Sequence, residues 1–137
     1  MKKAWIVVII ALLGIAVIGG YAVLDNIFPK ADPIKCPDTE SVTAITLIHN
    51  NNSSVSVETT DFGEILKNIT NAKPTRTMSV NDYPTAKTYY TIEVDTAARQ
   101  YLYFLYAEKS QVYIELPYEG IYTANQQFLD FVAEYNK

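Results

Sequence analysis

Hydrophobic residues run without a charge from Ala4 to Leu24, and only after Asp25 does the chain break into short patterned segments. At about 1.5 Å per helical residue, this block is long enough to cross a hydrocarbon layer of about 30 Å. Trp5 and Tyr21 stand near its ends, Lys2 and Lys3 precede it, and Asp25 follows. That distribution predicts a single-pass anchor through residues 4–24, with the N-terminus inside and the remainder outside the cell membrane. A cleaved signal peptide is the competing expectation, because a basic start and an apolar block also fit secretion and Gly20-Tyr21-Ala22 resembles a cleavage site. The run exceeds the roughly 7–15 residues of a signal-peptide core, which favours the anchor. Residues 25–40 carry Pro29, Pro33 and Pro37 among charged side chains and have no apolar period, so they read as a stiff extended stalk. A globular domain is expected over 41–137.

Within that domain the period of the apolar positions switches several times. Val42 to His49 and Val55 to Thr59 are β-like and flank Asn50-Asn51-Asn52-Ser53-Ser54, a hairpin signal. Phe62, Ile65, Leu66 and Ile69 fall on one helical face, with Thr60 or Asp61 as the expected cap and Pro74 beyond the end. Pro74 to Pro84 reads as a surface connection. Lys87 to Asp95, Arg99 to Ala107 and Gln111 to Leu116 follow as three strands with short links, an antiparallel meander. Tyr113 to Tyr122 is expected to join the last strand to the last helix, with Pro117 and Gly120 making the turn. Thr123 is the expected cap of that helix, whose stripe is Phe128, Leu129, Val132 and Tyr135. The fold class is therefore α+β: an apolar N-terminal helix, then a small antiparallel sheet of about five strands in the order β-β-α-β-β-β-α, with two helices on one face.

Period-two reading places Tyr90, Ile92 and Val94, and likewise Val112, Ile114 and Leu116, on the face that meets the helices. The middle strand, Tyr101 to Tyr106, is apolar on both sides, which suits a central strand whose second face is half covered. Tyr89, Thr91, Glu93, Tyr113 and Glu115 then fall on the opposite face, an aromatic and acidic surface.

Composition narrows the chemistry. At 49% hydrophobic and 19% charged the chain has the makeup of a folded domain. From Asp25 onward nine lysines and arginines face fifteen acidic residues, a net −6, which argues against nucleic acid. A single cysteine, Cys36, allows no intramolecular disulfide, although two chains could be linked through it. A single histidine, His49, excludes a paired-histidine metal site and reads as a turn residue. No metal or other cofactor is expected.

The candidate contact residues are Arg76, Asp82, Tyr89, Glu93, Tyr113, Glu115, Tyr118 and Glu119. Tyrosines offer stacking area with a hydroxyl for hydrogen bonding, and Arg76 could grip a carboxylate or phosphate. Tyr113, Glu115 and Glu119 are expected to be exposed on the rim of the last turn. Together with the inferred location they point to a binding or sensing module for a protein or wall component, not an enzyme. A structural or inhibitory subunit of a membrane complex is the alternative. A glycoside hydrolase using Glu115 and Glu119 as its carboxylate pair is a remote one.

Three runs, Asn71-Ala72-Lys73-Pro74-Thr75-Arg76, Ser79-Val80-Asn81-Asp82 and Tyr113 to Tyr122, resemble the bacterial domain of unknown function family 5301, over about Val42 to Phe131. The resemblance implies a small exported or membrane-anchored protein of Gram-positive bacteria with an extracytoplasmic accessory or sensing role. It carries over no catalytic residues, and the chain has no His-Glu-x-x-His motif.

Overall fold

The computed structural model describes residues 2–135 and residue 137. The chain divides into two compact units, one ending at Lys30 and one beginning at Ala31. The first is a single helix, α1 (Lys2–Ile27), with its apolar side chains exposed along its length. From Lys3 to Ile27 it is long and apolar enough to cross a membrane.

The second unit contains β1 (Val42–His49), β2 (Ser53–Ser56), α2 (Phe62–Thr70), β3 (Lys73–Pro74), β4 (Tyr90–Thr96), β5 (Gln100–Glu108), β6 (Gln111–Leu116), β7 (Gly120–Ala124) and α3 (Gln126–Glu134). All seven strands form one antiparallel sheet in the order β2-β1-β4-β5-β6-β7-β3. Alternation along the central strands divides the side chains between two faces. Ile45, Leu47, Ile92, Val94, Leu105, Val112 and Ile114 join Phe62, Ile65, Leu66 and Ile69 of α2 and Phe128 and Val132 of α3 in one buried cluster. Both helices thus cover the same face, as the periodicity predicts.

The strand count exceeds the expected five, and both additions come from segments read as connections. Gly120 to Ala124 is not merely the turn that launches the last helix, which begins only after Asn125. It folds back beside β6, with Leu116 opposite Gly120 and Ile114 opposite Tyr122. Lys73 and Pro74 then pair with Thr123 and Tyr122 at the outer edge. The helix caps also differ. Thr123 lies in β7, and it is Asn125 that caps α3, its side chain accepting from the Phe128 amide at 2.7 Å. Asp61 makes no capping bond to α2; a 3-10 turn over Thr59–Asp61 precedes the helix, and Asp61 accepts a hydrogen bond from the Tyr135 hydroxyl of α3.

The expected stalk is the larger correction. From Ala31 onward it belongs to the domain: Ile34 is 4% exposed within the core, and Ala31 and Cys36 pack against it. Two buried phenols explain why. Tyr122 is 1% exposed and donates its hydroxyl to the Asp32 carbonyl at 2.7 Å. Tyr103 is 2% exposed, and its ionisation is pushed well up by burial and further by the adjoining Cys36 thiol. A buried hydroxyl without a partner is costly; the proline-rich segment supplies a carbonyl to Tyr122 and brings Cys36 against Tyr103. Gly120 allows the approach: a Cβ there would stand 2.6 Å from the Cβ of Ala31.

Two outcomes follow for the domain in solution. Gly120→Ala should lower stability in urea by about 1–3 kcal/mol through overpacking, and adding Ala31→Gly should restore most of the loss, a coupling that a double-mutant cycle detects. Burial, then the hydrogen bond to Asp61, raise the Tyr135 phenol from 10.0 to about 12. Because the folded value lies above the unfolded one, this stabilisation is complete below pH 10 and is lost as pH rises from 10 to 12. Tyr135→Phe should therefore flatten part of the fall in urea midpoint over that range.

Candidate functional site

The face of the sheet turned away from the helices carries Glu93, Leu102, Phe104, Tyr106, Tyr113 and Glu115. A strap, residues 75–89, joins β3 to β4 and closes over part of this face. Its first residues extend along the free edge of β7. The Thr75 amide and hydroxyl both donate to the Ile121 carbonyl, at 3.0 and 2.6 Å, and the Ile121 amide donates to the Thr77 carbonyl at 3.0 Å. An open strand edge is thereby occupied within the chain.

The strap then turns inward at Ser79, which is 4% exposed and donates to Glu115 Oε1 at 2.6 Å. Tyr106 donates to the other carboxylate oxygen at 3.1 Å. The Tyr106 phenol is held well above its ordinary value, first by burial and then by the Glu115 charge, so it stays a donor. Glu115 is itself buried. The expectation that it stands free on an exposed rim is corrected: two hydroxyls engage it beneath the strap. Tyr113 is half-buried beside Tyr106, with ring centroids 5.7 Å apart.

Beyond Ser79 the strap is held by rings and one further hydroxyl. Tyr83 and Tyr89 each approach Phe104 at 5.7 Å, Tyr89 edge-on. Tyr89 is also tied to the β1–β2 turn, its amide donating to Asn50 Oδ1 at 2.8 Å and its hydroxyl accepting from Asn51 at 3.1 Å. Asp82 accepts from the Tyr118 hydroxyl at 2.6 Å, and that bond raises the Tyr118 phenol. Tyr118 sits in the β6–β7 turn, where the Glu119 amide donates to the Leu116 carbonyl at 3.1 Å. Its φ of 62° is left-handed, the geometry that the third position of a type II turn favours for glycine. Pro117 suits the position before it. Tyr118 nevertheless remains 63% exposed.

Of the predicted residues, then, Asp82 and Tyr118 meet directly, Arg76 lies half-buried on the same strap, and Glu119 is exposed on the turn. Glu93 lies two strands away, half-buried opposite Leu102. The sequence reading missed Met78, Val80 and Tyr83, which are 53%, 72% and 58% exposed. The alternation Met78-Ser79-Val80 was a signal, but its sense is inverted: the serine faces in because Glu115 draws a donor, and the apolar pair faces out. On the other face an open groove of about 350 Å³ separates Cys36 and Pro37 from Lys67, Thr70 and Asn71 of the α2 region.

A family model described as "Domain of unknown function (DUF5300)" and named DUF5301 matches residues 30–123. The chain is a DUF5301 protein. The match begins at residue 30, which agrees with a DUF5301 domain that includes the supposed stalk from Ala31. An NMR structure of a protein from Ruminococcus gnavus is similar to this DUF5301 chain, with 29% identity and a TM-score of 0.59 over 69% of this chain and 97% of that one. No curated protein matches it.

The buried carboxylate yields a direct check. Glu115→Ala leaves the Ser79 and Tyr106 hydroxyls without their acceptor and should cost about 2–5 kcal/mol, whereas Glu115→Gln keeps one acceptor and should cost less. Adding Tyr106→Phe and Ser79→Ala to Glu115→Ala should recover part of the loss in urea titration.

Proposed function

We propose that this DUF5301 chain is a membrane-anchored, extracytoplasmic binding module of the bacterial cell envelope. Residues 4–24 hold it in the membrane with the N-terminus inside, and its contact surface is the patch formed by the strap and the β6–β7 turn. The carrying observation is Tyr118. A tyrosine in left-handed backbone costs about 1–2 kcal/mol against glycine, and here the ring is pinned by Asp82 yet left exposed. Such local strain in an exposed aromatic is a pointer to a contact surface. Met78, Val80 and Tyr83 extend that surface on the strap. The apolar helix supports the location, and so does its basic start. A signal sequence is the other use of such a helix, and its cleavage would release the domain instead of tethering it.

The test uses the full chain in bacterial cells with a benzophenone side chain at position 80 or, as control, at Lys109 in the β5–β6 turn. Adducts with an envelope component are expected from position 80 and not from 109. Tyr118→Gly should weaken them several-fold while changing stability by no more than about 1 kcal/mol, since relief of strain offsets the lost hydrogen bond. Equal adducts from both positions, or none from 80, would remove the patch from the proposal. Recovery of the chain in the medium would remove the anchor.

A further inference from the structure

The partner of the strap-and-turn patch can be named from where the chain enters the domain. Ala31 donates its amide to the Thr75 carbonyl at 3.4 Å and lies against Gly120, immediately after the β6–β7 turn. Thr75 begins the strap, and Thr77 bonds to Ile121 beside it. Met78 and Val80, with Tyr118 at the turn, thus belong to the same end of the domain as the entry point. The β5–β6 turn, with Lys109, lies at the other end of β6.

Only Phe28, Pro29 and Lys30 separate the last residue of α1, Ile27, from Ala31. Four peptide links span at most about 14 Å. Counted from Leu24, the end of the proposed anchor, three helical residues add about 4.5 Å; the headgroup layer is roughly 5–8 Å deep, so an anchored chain holds Ala31 within about 14 Å of its outer edge. The side chains exposed at this end suit such a position. Met78 and Val80 are apolar, and Tyr83 and Tyr118 offer the amphipathic rings that favour a membrane interface. Tyr118 has its hydroxyl already donated to Asp82. Asp82 and Glu119 add negative charge locally, and the chain beyond the apolar helix is net acidic, so an uncharged lipid surface fits better than an anionic one.

We infer that the strap and the β6–β7 turn dock on the surface of the bilayer that holds the chain's own anchor, seating Met78, Val80 and Tyr118 among zwitterionic headgroups. This rests on the anchored reading above and names the partner of its contact surface.

The experiment uses the full chain with its single tryptophan removed by Trp5→Phe and a probe introduced by Val80→Trp, reconstituted in phosphatidylcholine vesicles containing dibrominated lipid. Val80 is exposed, and Met78→Trp provides a second probe. Emission should shift to the blue, and bromine should quench it at least two-fold. A probe introduced by Lys109→Trp should stay unquenched. Chain that floats with the vesicles while neither strap probe is quenched would overturn the docking and leave the anchored reading standing. A blue shift that depends on protein concentration and not on bromine would overturn it in favour of a second copy on the patch. Chain that fails to float would overturn both. Vesicles with one-third phosphatidylglycerol at low salt should reduce the quenching, and an increase there would overturn the preference for uncharged lipid.

Discussion

The domain depends on the pairing of hydroxyl groups buried on both faces of one sheet. β5 places Tyr103 among the helices and Tyr106 on the opposite side, so neither face can close with apolar side chains alone. A phenol removed from water must keep a partner. On the helical face that demand brings in the segment beginning at Ala31, where Asp32 serves Tyr122 and Cys36 adjoins Tyr103. On the other face Tyr106 shares Glu115 with Ser79, and Ser79 carries the strap with it. Two irregular stretches, each without a helix or long strand of its own, are thus ordered by side chains distant in sequence.

The strap has two consequences for chemistry at the surface. It consumes Glu115, the most conspicuous carboxylate of the aromatic face, in a structural role. It also moves the exposed aromatic character from the sheet to a patch of strap and turn, where Tyr83 and Tyr118 remain accessible. The bond between Tyr118 and Asp82 makes that patch a joint product of β6–β7 and the strap, so neither piece alone defines it.

Legibility in the sequence followed the range of the interactions. β1, its asparagine turn, β6 and the apolar stripes of α2 and α3 were readable because each is set by local period and local turn chemistry. β3 and β7 were not, since two residues around Lys73 and five around Tyr122 become strands only by pairing with each other and with β6. Residues 31–38 read as a stalk standing off the domain, because Ile34 is a single apolar residue with no period to announce its burial. Among the candidate contact residues Tyr118 and Asp82 were legible as polar and aromatic loop residues. The inward turn of Ser79, which sends Met78 and Val80 outward, was hidden because it answers to a carboxylate 36 residues away.

The attachment of residues 31–36 to the domain, through Ile34 in its core with Ala31 and Cys36 packed against it, changes what tension on the chain does. A stalk would stretch as an entropic spring and leave the domain unaware of the load. Here a pull arriving from upstream of Ala31 acts first on its bond to Thr75 and its seat against Gly120, then on Asp32 and Ile34. Peeling this segment uncovers the hydroxyl of Tyr122 and loosens the strap at Thr75. This first segment of the domain is therefore a mechanical fuse: a load entering upstream of Ala31 would reach the strap at Thr75 before it reached the sheet.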